Sequence, residues 1–195
     1  MDEGVTLVAA GSYTTAHVLT TISFHLLANP EILHNLRMEL KSASSSSEKS
    51  VSLQQLEELP YLSAVVSEGL RISNPVTSRL PRVSPVSPII FREWTIPPGT
   101  PVSMTAGMLH ENPRVFPEPC EFRPERWLKE NAQERLDRYL APFSKGTRAC
   151  LGMNLAHAEL RLTLATVFRE FDLELYETTR KDVDVACDSF SAAPR

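Results

Sequence analysis

Apolar positions along this chain follow a helical spacing at both ends, and prolines break it in the middle. From Gly4 to Pro30 there is no Asp, Glu, Lys or Arg. Residues 2–28 therefore read as one long buried helix, ended by Asn29-Pro30. Pro30 opens a second helix running to about Lys41, with Ile32, Leu33, Leu36 and Leu40 on one face. The Ser-rich residues 42–50 read as a solvent-exposed polar loop. Ser52 then caps a short helix ending near Leu59, and Pro60 starts another that runs to about Ile72.

Eleven of the 15 prolines lie between Pro75 and Pro124, which excludes long helices there. Short strands are expected in "RLPRV", "IIFREWTI" and "PVSMT", with "PPGT" as a turn. The irregular "HENPRVFPEPCEFRPERW" leads through a short helix near 132–139 to a glycine-containing loop. A helix follows over about 151–170, with Leu155, Ala158, Leu162 and Phe168 at helical spacing. The tail from Asp182 reads as strand and loop, and no internal repeat is visible. The expected class is mainly α with small β-sheets, an α+β arrangement.

Composition narrows the function classes. At 195 residues, 42% hydrophobic and 23% charged, the chain has the make-up of an ordinary soluble globular protein with one domain or two small ones. A net charge of −4 gives no general pull toward nucleic acid, and no motif that reads DNA is present. The uncharged front is studded with Ser, Thr and His and opens on Asp2 and Glu3, so it reads as a helix inside protein and neither a signal peptide nor a membrane span. The three cysteines, Cys120, Cys150 and Cys187, are unpaired by spacing, which argues against a disulfide framework or a zinc site and for a reducing compartment. Cys120 and Cys187 read as buried, inert thiols.

Cys150 differs. In "FSKGTRACLG", residues 143–152, it sits just before a helix and beside Arg148, and both the cation and the positive end of the helix dipole favour a sulfur anion. Gly146 permits a positive-φ turn, Gly152 leaves room for a flat ligand against the backbone, and Phe143 shields the sulfur.

The loop resembles the haem-binding signature of the cytochrome P450 superfamily, F-x-x-G-x-R-x-C-x-G, and matches it at Phe143, Gly146, Arg148, Cys150 and Gly152. Five fixed residues recur by chance about once in 3 million windows of equal residue frequencies. "EGLR", residues 68–71, resembles the family's E-x-x-R, and "FRPERW", residues 122–127, the segment whose Arg126 joins Glu68 and Arg71. Three residues apart on a helix, Glu68 and Arg71 can meet, and a buried pair needs a further partner. "AAGSYTT", residues 9–15, resembles the oxygen-binding groove, usually A/G-G-x-D/E-T-T. It departs from it at Tyr13, where an acid is usual.

The resemblance implies the C-terminal portion of the cytochrome P450 fold and haem b held by the Cys150 thiolate. It further implies catalytic roles for Gly11, Tyr13 and Thr14, a structural cluster of Glu68, Arg71 and Arg126, and propionate contacts from Arg148, Arg79 and His110, with Arg82 the weaker candidate. Pro75, Val76 and Thr77 would touch substrate. His17, His25, His34 and His157 read as structural or solvated. The implied activity is monooxygenation of a small apolar organic substrate with dioxygen and electrons from an NADPH-linked flavoprotein reductase, on the cytoplasmic face of the endoplasmic reticulum for an intact parent. Residues 123–148, with seven Lys or Arg against four Asp or Glu, would dock that reductase. Two alternatives stand beside it: a haem-thiolate isomerase, dehydratase or peroxygenase, and an inactive haem-binding remnant. The resemblance spans residues 1–195 as one partial domain, so the chain reads as a fragment or truncated product with an apolar face left uncovered.

Overall fold

A computed structural model describes residues 3–43, 51–128, 135–185, 187–189 and 191–193. Its helices are α1 (Glu3–Ala28), α2 (Pro30–Ala43), α3 (Leu53–Glu57), α4 (Pro60–Ser73), α5 (Ala106–His110) and α6 (Met153–Glu170). Among the described residues no helix is long and apolar enough to cross a membrane. The expected Ser-rich loop loses its first two residues to α2, and residues 44–50 lie outside the described residues. So do residues 132–134 of the short helix expected near 132–139, whose described part is a single 3-10 turn, Leu136–Arg138.

Helix boundaries follow local chemistry. Ser52 caps α3 in a reciprocal box: its hydroxyl accepts from the Gln55 N–H, and its own N–H donates to the Gln55 side chain at 2.8 Å. At α4 the N-cap position is Leu59, which offers no side-chain cap. Glu39, from α2, takes over: its carboxylate accepts the Tyr61 and Leu62 N–H groups at 2.8 and 2.7 Å. A cap of this kind contributes about 1 kcal/mol and here also ties two helices together. The other end of α4 stops at Asn74, which adopts the left-handed conformation.

The core forms where four helices present apolar rows at four-residue spacing: Val18, Ile22 and Leu26 of α1, Leu36 and Leu40 of α2, Leu62, Val66 and Leu70 of α4, and Leu160, Leu164 and Phe168 of α6. Each fully buried Leu or Ile contributes about 1.5–3 kcal/mol. On α6, of the residues at helical spacing Leu155 and Leu162 face outward and Phe168 is in the core. The long front helix differs from the expected one: α1 is buried only in its second half, and Glu3 to Ala10 are exposed. Val5, Leu7, Val8, Leu155 and Leu162 are exposed apolar residues, and Leu7, Val8 and Leu155 line one cleft between α1 and α6.

The proline-rich middle folds into two small antiparallel pairs. β1 (Arg82–Val83) pairs with β4 (Pro101–Val102), and β2 (Ile89–Phe91) with β3 (Trp94–Ile96). "IIFREWTI" is therefore a hairpin of two short strands, turning at Arg92, whose φ of 55° lies in the left-handed region. "PPGT" forms its turn, with Thr100 N–H donating to Pro97 O. The five-residue α5, which the proline count hid, is capped by Thr105, whose hydroxyl accepts the Met108 N–H. A final hairpin pairs β5 (Cys187–Ser189) with β6 (Ser191–Ala193).

Candidate functional site

Glu68 is completely buried, and every lone-pair direction of its carboxylate is engaged. One oxygen accepts from Arg71 Nη2 at 2.8 Å, the Arg123 backbone N–H at 3.0 Å and Arg126 Nε at 3.1 Å. The other accepts from Arg71 Nε at 2.9 Å and Trp127 Nε1 at 2.8 Å. Five donors on one carboxylate replace the water it loses, which makes burial of the charge tolerable. Arg71, 1% exposed, spends its remaining donors on the carbonyls of His110, Pro119 and Glu121 and lies over the Phe116 ring. Arg126 donates on to the carbonyls of Pro117, Glu118 and Glu121. Burial weakens the Arg126 guanidinium's hold on its proton, and the Glu68 charge opposes that. The three side chains thus clamp α4 to the irregular segment 110–127 by its own backbone.

Helical spacing could place Glu68 beside Arg71, and only folding adds the rest. Trp127 was not singled out in the sequence, and its one signal is adjacency to Arg126. Tyr61, at the start of α4, makes a second tie by donating to Glu125 at 2.7 Å.

The cysteine loop lies between this clamp and α6. Cys150 is a free, exposed thiol. Its backbone N–H donates to Phe143 O at 2.9 Å, closing the loop into a narrow arch. Within the arch the 3-10 turn Gly146–Arg148 forms, and Gly146 has φ 79°, a conformation costly for a residue with a side chain. At Gly152 a Cβ would come 3.9 Å from the sulfur, an ordinary contact. Phe143 tilts against His157, 5.2 Å between ring centres, and Arg148 is exposed. Leu151, 94% exposed, extends an apolar surface beside the thiol. A soft sulfur donor on a rigid arch, with open apolar surface next to it, fits the donor set that a haem iron needs.

The other candidates fall in varied places. Thr14 is half-buried in α1 and its hydroxyl donates to Ala10 O at 2.8 Å, while Tyr13 is exposed. Gly11 lines a cleft of about 540 Å³ between α1 and α6, together with Leu7, Val8, Thr15, Leu155 and Glu159. Pro75 and Thr77 are buried and Val76 is half-buried. Arg79 is exposed, and Arg82 turns its guanidinium back to the carbonyls of Leu80 and Pro81. Cys120 is exposed, which corrects the expectation of a buried thiol: it sits on a surface turn closed by the Glu121 N–H donating to Glu118 O, and its carbonyl accepts from Arg180. His110 lies inside the protein, 1% exposed, with its ring against Ala141 and Phe116.

Two buried histidines make the fold sensitive to acid. Burial, reinforced by Arg180, lowers His25 from 6.5 to about 4, against the opposing charges of Asp184 and Glu68. Burial, then Arg71, lowers His110 likewise to about 4. Each ring binds its proton more weakly folded than unfolded, so the unfolded chain takes up protons first as pH falls. Their contribution is complete above about 6.5 and is lost between there and about 4. The urea midpoint should hold steady from pH 8 to 7 and fall below 6.5. His25→Phe, which preserves the stack on Phe122 (4.8 Å, 4° between planes), should flatten that fall. An equal acid slope in wild type and variant would contradict the assignment to His25.

The cytochrome P450 family model matches residues 2–192. An N-acetyltryptophan 6-hydroxylase of Emericella nidulans is 47% identical over 197 residues, covering 99% of this chain and 38% of its own length. A tryptophan 6-hydroxylase of Fusarium equiseti is 46% identical over 194 residues, covering 99% and 38%. A cytochrome P450 monooxygenase of Trichoderma arundinaceum is 46% identical over 186 residues, covering 95% and 36%. The chain therefore spans well under half the length of the curated relatives it matches.

Proposed function

This chain belongs to the cytochrome P450 family, and from that membership we propose that it supplies the thiolate-bearing portion of a haem-dependent monooxygenase of secondary metabolism. The observation that carries the reading is the Cys150 arch: a free, exposed thiol whose loop is pinned by its own backbone next to a fully satisfied buried clamp. In this reading the Cys150 sulfur would hold the iron of haem b, with Phe143 and Gly152 flanking that sulfur, and Arg148 would pair with a propionate. A haem held there would supply the chemistry for activating dioxygen and oxidising a small apolar substrate.

The chain's own residues have narrower tasks. Thr14, whose hydroxyl donates to Ala10 O in this structure, would offer that hydroxyl to a water or to dioxygen, and Gly11 lines the cleft close to it on the same helix. Tyr13 can pass a proton along hydrogen bonds, since its hydroxyl both donates and accepts. Pro75, Val76 and Thr77 border the substrate, and Arg79 is a second propionate partner. The basic excess of residues 123–148 receives an acidic, NADPH-linked flavoprotein, and the whole protein works on the cytoplasmic face of the endoplasmic reticulum. A second reading, an isomerase, dehydratase or peroxygenase, is favoured by Tyr13 in the place of an acid, since those reactions need no delivered proton. Products formed under labelled dioxygen separate the two.

The test is spectroscopic. The chain with haem, reduced and treated with carbon monoxide, should give the red-shifted Soret band of a thiolate-ligated iron. Cys150→Ser should abolish that band while leaving the far-ultraviolet circular dichroism unchanged. A serine variant with the wild-type spectrum would remove the basis of the proposal, and a chain that takes up no haem would identify an inactive remnant.

A further inference from the structure

We propose that His110 is a positioning residue that sets the cysteine arch in register with the Glu68–Arg71 clamp. The two halves of this residue face different partners. Its backbone carbonyl accepts from Arg71 Nη1 at 3.0 Å, which fixes it to the clamp. Its ring Nε2 lies 3.0 Å from the Ala141 backbone nitrogen. A backbone N–H can only donate, so Nε2 is the acceptor and the neutral ring carries its hydrogen on Nδ1. From Ala141 the bonds continue: its carbonyl accepts the Ser144 N–H at 3.1 Å, and Phe143 O accepts the Cys150 N–H at 2.9 Å. A short path of hydrogen bonds and one peptide unit thus joins Glu68 to Cys150, and the His110 ring carries it from the clamp to the arch.

The cost at this residue argues for the role. Nδ1 is buried and makes no hydrogen bond of ordinary geometry among the described residues, although the Arg71 backbone lies close enough to the ring to favour its proton. A buried donor without a well-formed bond is expensive, and an apolar ring of similar shape would avoid that expense while packing as well against Phe116, whose ring meets His110 edge-on. What an apolar ring cannot supply is an acceptor for Ala141. The geometry therefore selects histidine for the Nε2 bond and not for packing or for exposure to a ligand.

The positional claim does not depend on haem, whereas its consequence for the sulfur rests on the function proposed above. Hydrogen–deuterium exchange on the full chain reads the first. His110→Ala should speed exchange of the amides from Ala141 to Cys150 by roughly tenfold or more, while α6 amides follow only the change in global stability. His110→Gln, whose side-chain oxygen can reach where Nε2 lies, should restore protection. In haem-loaded protein, His110→Ala should weaken the red-shifted band that His110→Gln retains. Unchanged exchange at residues 141–150 in His110→Ala overturns the inference. If His110→Ala does not fold, His110→Gln decides: protection at Ala141 supports the role, and its loss overturns it. A wild-type chain that binds no haem yet shows this exchange pattern supports His110 as the link and sinks only the haem reading.

Discussion

Replacing Glu68 with glutamine is expected to cost roughly 3–5 kcal/mol of folding stability, a large share of the 5–15 kcal/mol typical of a domain. Glutamine keeps the shape of the side chain, so lost packing is not the cause. The amide has one oxygen where the carboxylate has two. Whichever way it is turned, its NH2 group meets donors: Arg71 Nη2, Arg123 N–H and Arg126 on one side, or Arg71 Nε and Trp127 on the other. Two guanidinium groups, 1% and 8% exposed, lose the buried anion they share. The comparison is Glu118→Gln, which removes an exposed partner of Arg123 and should cost at most about 1 kcal/mol. Urea unfolding with an unchanged slope measures both. A Glu68→Gln loss no larger than that of Glu118→Gln would show that the clamp is not held by charge.

Gly69→Ala should destabilise the fold by about 1–3 kcal/mol, even though alanine is the better helix former by roughly 1 kcal/mol. Here α4 crosses α1, and a Cβ at this position would lie 2.2 Å from Cγ1 and 2.3 Å from Cδ1 of Ile22. Those atoms have little freedom to retreat. Ile22 is fully buried in the core row of α1, and its branched Cβ leaves one favoured rotamer in a helix. The helices must separate or the isoleucine must adopt a strained rotamer, and either displaces Glu68 next to it. Because the cause is one specific overlap, shortening Ile22 should relieve it. Ile22→Ala combined with Gly69→Ala is expected to lose less stability than the sum of the single variants, and additive losses would rule the overlap out.

What the sequence made legible was local. Pro30, Ser52 and Pro60 mark helix starts because caps and missing N–H groups act within one turn, and α2, α3 and α4 begin within a residue or so of those marks. Glu68 and Arg71 could be paired from spacing alone, since three residues on a helix bring side chains together. Arg126 came from resemblance, because nothing periodic connects it to a helix 58 residues away. Trp127, Glu39 and the ring contact of His110 were missed for the same reason, their partners lying 59, 22 or 23, and 31 residues distant.

Burial was the other quantity that local pattern misjudged. The uncharged run of α1 reads as buried throughout, but an apolar face is covered only where another element packs on it, and for Glu3 to Ala10 none does among the described residues. On α6 the apolar positions Leu155 and Leu160 look alike in the sequence, and only packing against α1, α3 and α4 separates an exposed one from a core one. The chain by itself determined where helices start, where proline forbids them, and which cysteine sits on a glycine arch, since those depend on backbone sterics over a few residues. Tertiary structure alone decided which carboxylate collects five donors and which histidine reaches the arch, since a buried polar group takes as partner whatever the fold sets within about 3 Å of it.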